Sequence, residues 1–216
     1  MRKLSYVIIL AGILIMLYPQ ASEWYNDRQE AQLLNELEQN FQNTATIEAD
    51  TNTKNTYAQV NQLLAEEPAD PAVTAEPVVA EQKEQEPEAI ALIQIDKIDL
   101  KLPVLEGATK ANMKHAAAHI TETSPIGEVG NAAIAAHRAR TKGRLFNRLN
   151  EMENGDIIKV TTNGQTYEYK VFDTLVVEPT DVSVLNRNDK DKILTLITCD
   201  PLVNPTHRLI IHAKLS

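Results

Sequence analysis

Residues 90–216 predict a mainly β fold, a closed barrel or a sandwich of short strands with two minor helices. Three observations lead there. Seven or so short runs rich in Ile, Leu, Val and Thr recur, an Asn-Gly pair separates two of them, and no strand–helix alternation repeats. The first runs lie at 90–95 and 98–104. A helix is expected over 109–119 (TKANMKHAAAH), then an apolar run at 131–136 and one or two helical turns at 146–152. The segments 156–162 and 165–177 flank Asn163-Gly164, and this pair supplies the positive φ angles of a type I′ hairpin turn. The last strands are expected at 192–198 (KILTLIT) and 208–215 (RLIIHAKL). Only four aromatic residues fall in this region, so Ile, Leu and Val must fill the core.

Charge divides the 216 residues into three parts. The formal total is −9, yet residues 1–18 hold only Arg2 and Lys3, residues 19–89 hold 15 acids against 3 bases, and residues 90–216 hold 15 acids against 16 bases. A near-neutral folded part has no clustered basic excess, so a nucleic-acid partner is not expected. The one cysteine, Cys199, excludes an internal disulfide framework, a CxxC pair and a cysteine-rich zinc site.

Residues 4–18 (LSYVIILAGILIMLY) are uncharged and would span roughly 22 Å as a helix. That length lies between a secretory apolar region and a membrane anchor. No small-x-small cleavage signal comes after it, and Tyr18, Trp24 and Tyr25 suit an interfacial belt, which favours an anchor over residues 1–22. Arg2 and Lys3 then keep the amino terminus in the cytoplasm and put the rest outside the cell membrane. Residues 23–89, acidic, proline-containing and free of glycine, are expected to form a largely disordered, solvated extracytoplasmic stalk. Two segments within it look helical, 30–41 (EAQLLNELEQNF) and 56–67 (TYAQVNQLLAEE). Helices of about 12 residues are marginal alone in water, so a spacer is the plain expectation and self-docking the alternative.

The residues that carry chemistry converge on Cys199, His137 and Arg208. Cys199 closes a β-branched strand just before Asp200-Pro201, at a strand end beside a loop. A lone cysteine also suits a small buried hydrophobe; to act as a nucleophile it needs a nearby imidazole or cation. His137 ends the run AAIAAH and begins the cluster His137-Arg138-Ala139-Arg140. Arg208 opens the strand after Cys199, and antiparallel pairing would set it opposite the cysteine, where it could donate to a developing oxyanion; a surface ion pair is the alternative. His115 and His119, four apart on the expected helix, lack a supporting third ligand, so no metal or other cofactor is expected. His212 alternates with apolar neighbours and suits a packed or solvent-facing strand position.

Leu194-Thr195-Leu196-Ile197-Thr198-Cys199, with Thr206-His207-Arg208-Leu209-Ile210-Ile211 after it, resembles the TLxTC strand and the arginine strand of the sortases. Gly130 through Arg138 (GNAAIAAHR) resembles their catalytic-histidine strand, and Leu145-Phe146-Asn147-Arg148-Leu149 with Gly155-Asp156 resembles the helix and strand next in their order. The resemblance covers residues 90–216. It implies a closed barrel of about eight strands and a membrane-anchored cysteine transpeptidase. Such an enzyme cuts an LPxTG-like sorting signal of a surface protein after threonine and joins it to a cell-wall amine of a peptidoglycan precursor or cross-bridge. By the same resemblance Cys199 attacks, His137 is general acid then base, and Arg208 holds the substrate or oxyanion. Thr198 would line the signal's pocket, and residues 178–191 would form its wall, with Val182, Val184 and Leu185 as apolar contacts.

Asp200-Pro201 and the compact domain look most like the class D group. Ala136 stands where many relatives have glycine, and Ala116-Ala117-Ala118-His119 replaces a more glycine-rich stretch. A pilin-polymerising enzyme fits less well, because Ala72 comes after Asp70-Pro71 where that group has an aromatic residue, and no second apolar span is seen. A hydrolytic cysteine peptidase and a non-catalytic surface β-domain remain open on the sequence.

Overall fold

A computed structural model describes residues 53–65, 89–187 and 189–216. The expected anchor over 1–22, the helical segment 30–41 and the acid- and proline-rich residues 66–88 lie outside them. Among the described residues no helix is long and apolar enough to cross a membrane. The elements are α1 (Thr53–Ala65), β1 (Ala89–Ile95), β2 (Leu100–Glu106), α2 (Lys110–Met113), β3 (Ala117–His119), β4 (Gly130–Ala135), β5 (Ile157–Thr162), β6 (Gln165–Val177), β7 (Lys192–Asp200) and β8 (His207–Leu215).

The eight strands close into a barrel in the order β1-β2-β3-β4-β7-β8-β6-β5, with β5 returning to β1. Closure leaves no open sheet edge and settles the choice between barrel and sandwich. Pairing is antiparallel except for β2 with β3 and β4 with β7. The β5–β6 turn has φ of 50° at Asn163 and 72° at Gly164, both positive as the Asn-Gly pair predicts.

Alternation along each strand separates two apolar clusters. Ile93, Val104, Ile134, Val160, Val171, Leu196 and Ile211 face the barrel interior. Ala133 and Ala135 on β4, Ile197 and Cys199 on β7 and Ile210 on β8 face outward into a second cluster with Val184, Leu185 and α1. Burial on both faces leaves all of 194–199 buried, with Thr195 and Thr198 among the apolar residues rather than a polar residue at every second position.

Three local expectations are corrected. The helix over 109–119 shrinks to Lys110–Met113, with the Thr109 side chain accepting from the Asn112 N–H. The alanines that favour helix go instead into β3, pairing parallel with β2 and antiparallel with β4, so barrel closure overrides propensity. His115 and His119 therefore do not share a helix face. Ile98 belongs to the 3-10 turn Asp96–Ile98, and Asp99 at φ 51° reverses the chain before β2. Over 146–152 the one helical turn expected there forms as the 3-10 turn Leu149–Glu151. Within the expected solvated stalk, residues 53–65 are a helix docked on the barrel, with Tyr57, Val60 and Leu64 buried. The spacing 57, 60, 64 forms one helix stripe, and covering an apolar patch gives this short helix a stability it would lack in water.

Candidate active site

β7 and β8 are direct antiparallel partners, and their register sets Cys199 opposite Arg208. β4 runs parallel beside β7 as far as Ala135 opposite Ile197, and the Ala136 N–H continues the ladder to the Ile197 carbonyl at 3.1 Å. Carrying that register on brings His137 alongside Cys199. Ala133 and Ala135 face outward, and so by alternation does His137. Cys199 and Arg208 thus share the outer face of the β7–β8 pair, and the register carried two residues past β4 puts His137 on the same side; each of the three is nearly buried.

Arg208 is 2% exposed and among the described residues pairs with no carboxylate at its guanidinium; its Nε donates to Asn61 Oδ1 at 2.7 Å, and its two terminal nitrogens donate to the Asn61 and His207 carbonyls, each at 2.8 Å. A surface ion pair is therefore not its role. The Cys199 Sγ donates to the Leu64 carbonyl at 2.8 Å. One face of α1, from Asn61 to Leu64, thus occupies both the thiol and the arginine donors. Its first turn is held separately: Thr53 Oγ1 donates to the Glu122 carbonyl at 3.1 Å and Thr56 Oγ1 donates to the Glu122 carboxylate at 2.5 Å.

Burial beneath α1 pushes the Cys199 thiol up, Asp200 adds to that, and the Arg208 and Arg138 cations oppose it. In this arrangement Cys199 is a protonated thiol, donating a hydrogen bond. A cysteine nucleophile works as thiolate, the form that this burial disfavours. Uncovering would remove the desolvation and leave both arginines beside the sulfur.

A sortase domain model matches residues 93–216. The chain belongs to the sortase family. Sortase A of Bacillus anthracis is 34% identical over 128 residues, which is 59% of this chain and 60% of that protein. A Clostridium perfringens Sortase D5 transpeptidase structure superposes with a TM-score of 0.61 at 27% identity, covering 87% of this chain and 98% of that one. Sortase A from Corynebacterium diphtheriae gives 0.59 at 31% identity over 62% of this chain and 63% of the other. The match thus spans about three fifths of the length of either Sortase A.

The wall residues anticipated for this sortase fall at the same place. Val184 and Leu185 are buried in the outer-face cluster and Val182 packs against it, all on the 3-10 turn Val182–Leu185. Asn131 on β4 anchors that turn, donating to the Val184 and Asn186 carbonyls at 3.1 Å each. Thr198 is fully buried, and its hydroxyl donates to the Ala136 carbonyl at 2.8 Å, beside His137. His119 is bound to Glu106 at 3.0 Å and reaches the Ser124 carbonyl at 3.1 Å. His115 is held down to about 4 by burial and by the Lys114 and Arg144 cations. His212 sits beside Thr195 at 3.1 Å and stacks on Phe172. Among the described residues no three His, Cys, Asp or Glu side chains gather as a metal site.

Sequence reasoning did not reach Asn61, Leu64, Glu122 or Asn131. The stripe of Tyr57, Val60 and Leu64, with Asn61 inside it, was the available signal for the first two: a narrow apolar face carrying one polar group marks a docking face. Glu122 and Asn131 act through contacts that join distant segments and have no local pattern.

Proposed function

We propose that this sortase is a cysteine transpeptidase acting on an LPxTG-like sorting signal. The Cys199 thiolate attacks the carbonyl carbon after the signal's threonine, and Arg208 donates to the oxyanion or to the substrate backbone as it forms. The C–N bond breaks, His137 gives a proton to the departing amine, and a thioester remains on Cys199. An incoming cell-wall amine attacks the thioester and passes its proton to His137, and the thiolate leaves as the new amide forms. Neither half consumes an oxidant or a metal.

The single observation that carries this reading is the cross-strand pairing of Cys199 with Arg208 on β7 and β8, and the β4–β7 register, continued two residues past β4, supports His137 as their neighbour. The Val182–Leu185 turn beside it offers apolar contacts for the signal. The 87% overlap with the Sortase D5 structure supports the class D reading. The apolar run 4–18 supports a membrane anchor with the barrel outside the cell, and the acidic residues of 19–89 support a solvated tether on either side of α1. Substrate enters only when α1 leaves, because Asn61 and Leu64 hold the groups that would bind it.

Incubating the full chain with LPxTG-type peptides and a panel of amines tests the reaction. A peptide–amine ligation product, lost in Cys199→Ala with the fold intact, is expected. Hydrolysis alone with every amine would identify a peptidase instead, and unchanged turnover by Cys199→Ala would remove the nucleophile.

A further inference from the structure

His137 and Cys199 have chain neighbours that are tied to one another on both sides. On one side the Thr198 hydroxyl donates to the Ala136 carbonyl at 2.8 Å, and the Ala136 N–H donates to the Ile197 carbonyl. On the other, Arg138 Nη1 meets the Asp200 carboxylate at 2.6 Å and reaches the Cys199 carbonyl at 3.4 Å. The Arg138 Nε reaches the Asn147 carbonyl at 3.4 Å, fastening the loop that leaves the histidine. The Phe146 N–H closes the same loop on the His137 carbonyl at 3.1 Å. The Arg138 side chain is 9% exposed and that of Asp200 29%, so this ion pair is more sheltered than the exposed ones around Lys97 and Lys159.

We propose that Arg138 and Asp200 are positioning residues, an ion pair that sets the distance and orientation of His137 relative to Cys199. The proposal rests on the transpeptidase reading for its kinetic consequence but not for its geometry. β4 ends at Ala135 and its ladder to β7 at the Ala136 N–H, so beyond that point no β4–β7 strand pairing holds His137 in register with Cys199. A planar guanidinium with several donors can bridge a carboxylate and two carbonyls at once, whereas an ammonium is a compact point charge. Misplacing a catalytic group by about 1 Å costs on the order of a hundredfold in rate.

The pair also adds opposite charges near the sulfur. The charged and titratable groups around Cys199 are Arg208 from β8, Arg138 and His137 from the segment after β4, and Asp200 from β7; α1 contributes Tyr57 and the uncharged Asn61 and Leu64. Removing Arg138 takes a cation from the thiolate, and removing Asp200 takes away an anion. A brace with only a structural role would move thiol titration the same way in both variants, or not at all.

The test uses the full chain carrying Arg138→Gln, Arg138→Lys, Asp200→Asn or Arg138→Gln with Asp200→Asn. Peptide kinetics should show kcat lowered roughly tenfold to a hundredfold in each neutral variant with KM little changed. The double variant should lose little more than either single one, since each already breaks the pair. Arg138→Lys should recover part of the rate. Iodoacetamide labelling of Cys199 against pH should move its midpoint up in Arg138→Gln and down in Asp200→Asn. Losses that multiply in the double variant, kcat near wild type in both singles, or midpoints that shift together would overturn the proposal. If the wild-type chain ligates no peptide, the transpeptidase reading fails, and the labelling midpoints still decide whether the pair acts on the thiol. If Arg138→Gln does not fold, Arg138→Lys and Asp200→Asn carry both measurements.

Discussion

The barrel interior and the outer-face cluster are both apolar and both closed to water, yet they are built differently. All eight strands contribute to the interior, each holding its neighbours by a backbone ladder. The outer cluster rests on β3, β4, β7 and β8 but is covered by one 13-residue helix and one 3-10 turn. The barrel carries Cys199, His137 and Arg208, and α1 occupies Cys199 and Arg208, the groups that the proposed mechanism gives to substrate. Burial that stabilises the fold and burial that covers the Cys199 thiol thus come from separate parts of the chain.

Arg208 belongs to both regions, as a fixed strand residue and as an anchor for α1, and its substitution should have the largest effect. Arg208→Lys loses the planar fork that aims donors at an oxyanion, so kcat/KM should fall by roughly 10²–10³-fold even though the grip on Asn61 is weakened. Steady-state peptide kinetics check this, and near-wild-type turnover would argue against the oxyanion role.

The same truncation placed in the two regions should give contrasting results. Leu196→Ala inside the barrel should cost about 2–5 kcal/mol of global stability, read by denaturant unfolding. Leu64→Ala under α1 removes an equally buried side chain, but its cost should appear as uncovering of the site, with the barrel's unfolding midpoint much less affected. Equal loss of global stability would mean that α1 and the barrel unfold as one unit.

The barrel was legible wherever local pattern decides structure. The Asn163-Gly164 hairpin and the run 192–198 have turn chemistry and β-branched composition that need no distant partner to be read. The Ala117–His119 strand was not legible, because alanine favours helix and only the gap between β2 and β4 makes it a strand. At the site, Cys199 and Arg208 could be paired from strand spacing alone. His137 needed the parallel register of β4 on β7, a contact spanning more than sixty residues. The helix over 56–67 was visible as a helix, but what it covers depends on an outer sheet face that exists only after the barrel closes. Arg138 and Asp200 were seen only as charged neighbours of the catalytic residues, since their pairing too requires β4 and β7 to meet.

Cys199 is the only cysteine in the chain, so its covering can be read directly by the rate of iodoacetamide labelling, tracked by mass, in wild type and Leu64→Ala. Covering raises the thiol pKa, so the covered state binds its proton more tightly. That contribution is fully present below the pKa of the uncovered thiol and is lost as pH rises toward that of the covered one, so wild-type labelling should steepen with pH. Each 1.4 kcal/mol taken from the docking of α1 should raise the exposed population about tenfold. The account predicts labelling at least about tenfold faster in Leu64→Ala at neutral pH, with a lower pH midpoint. Equal rates and equal midpoints in the two proteins would contradict it.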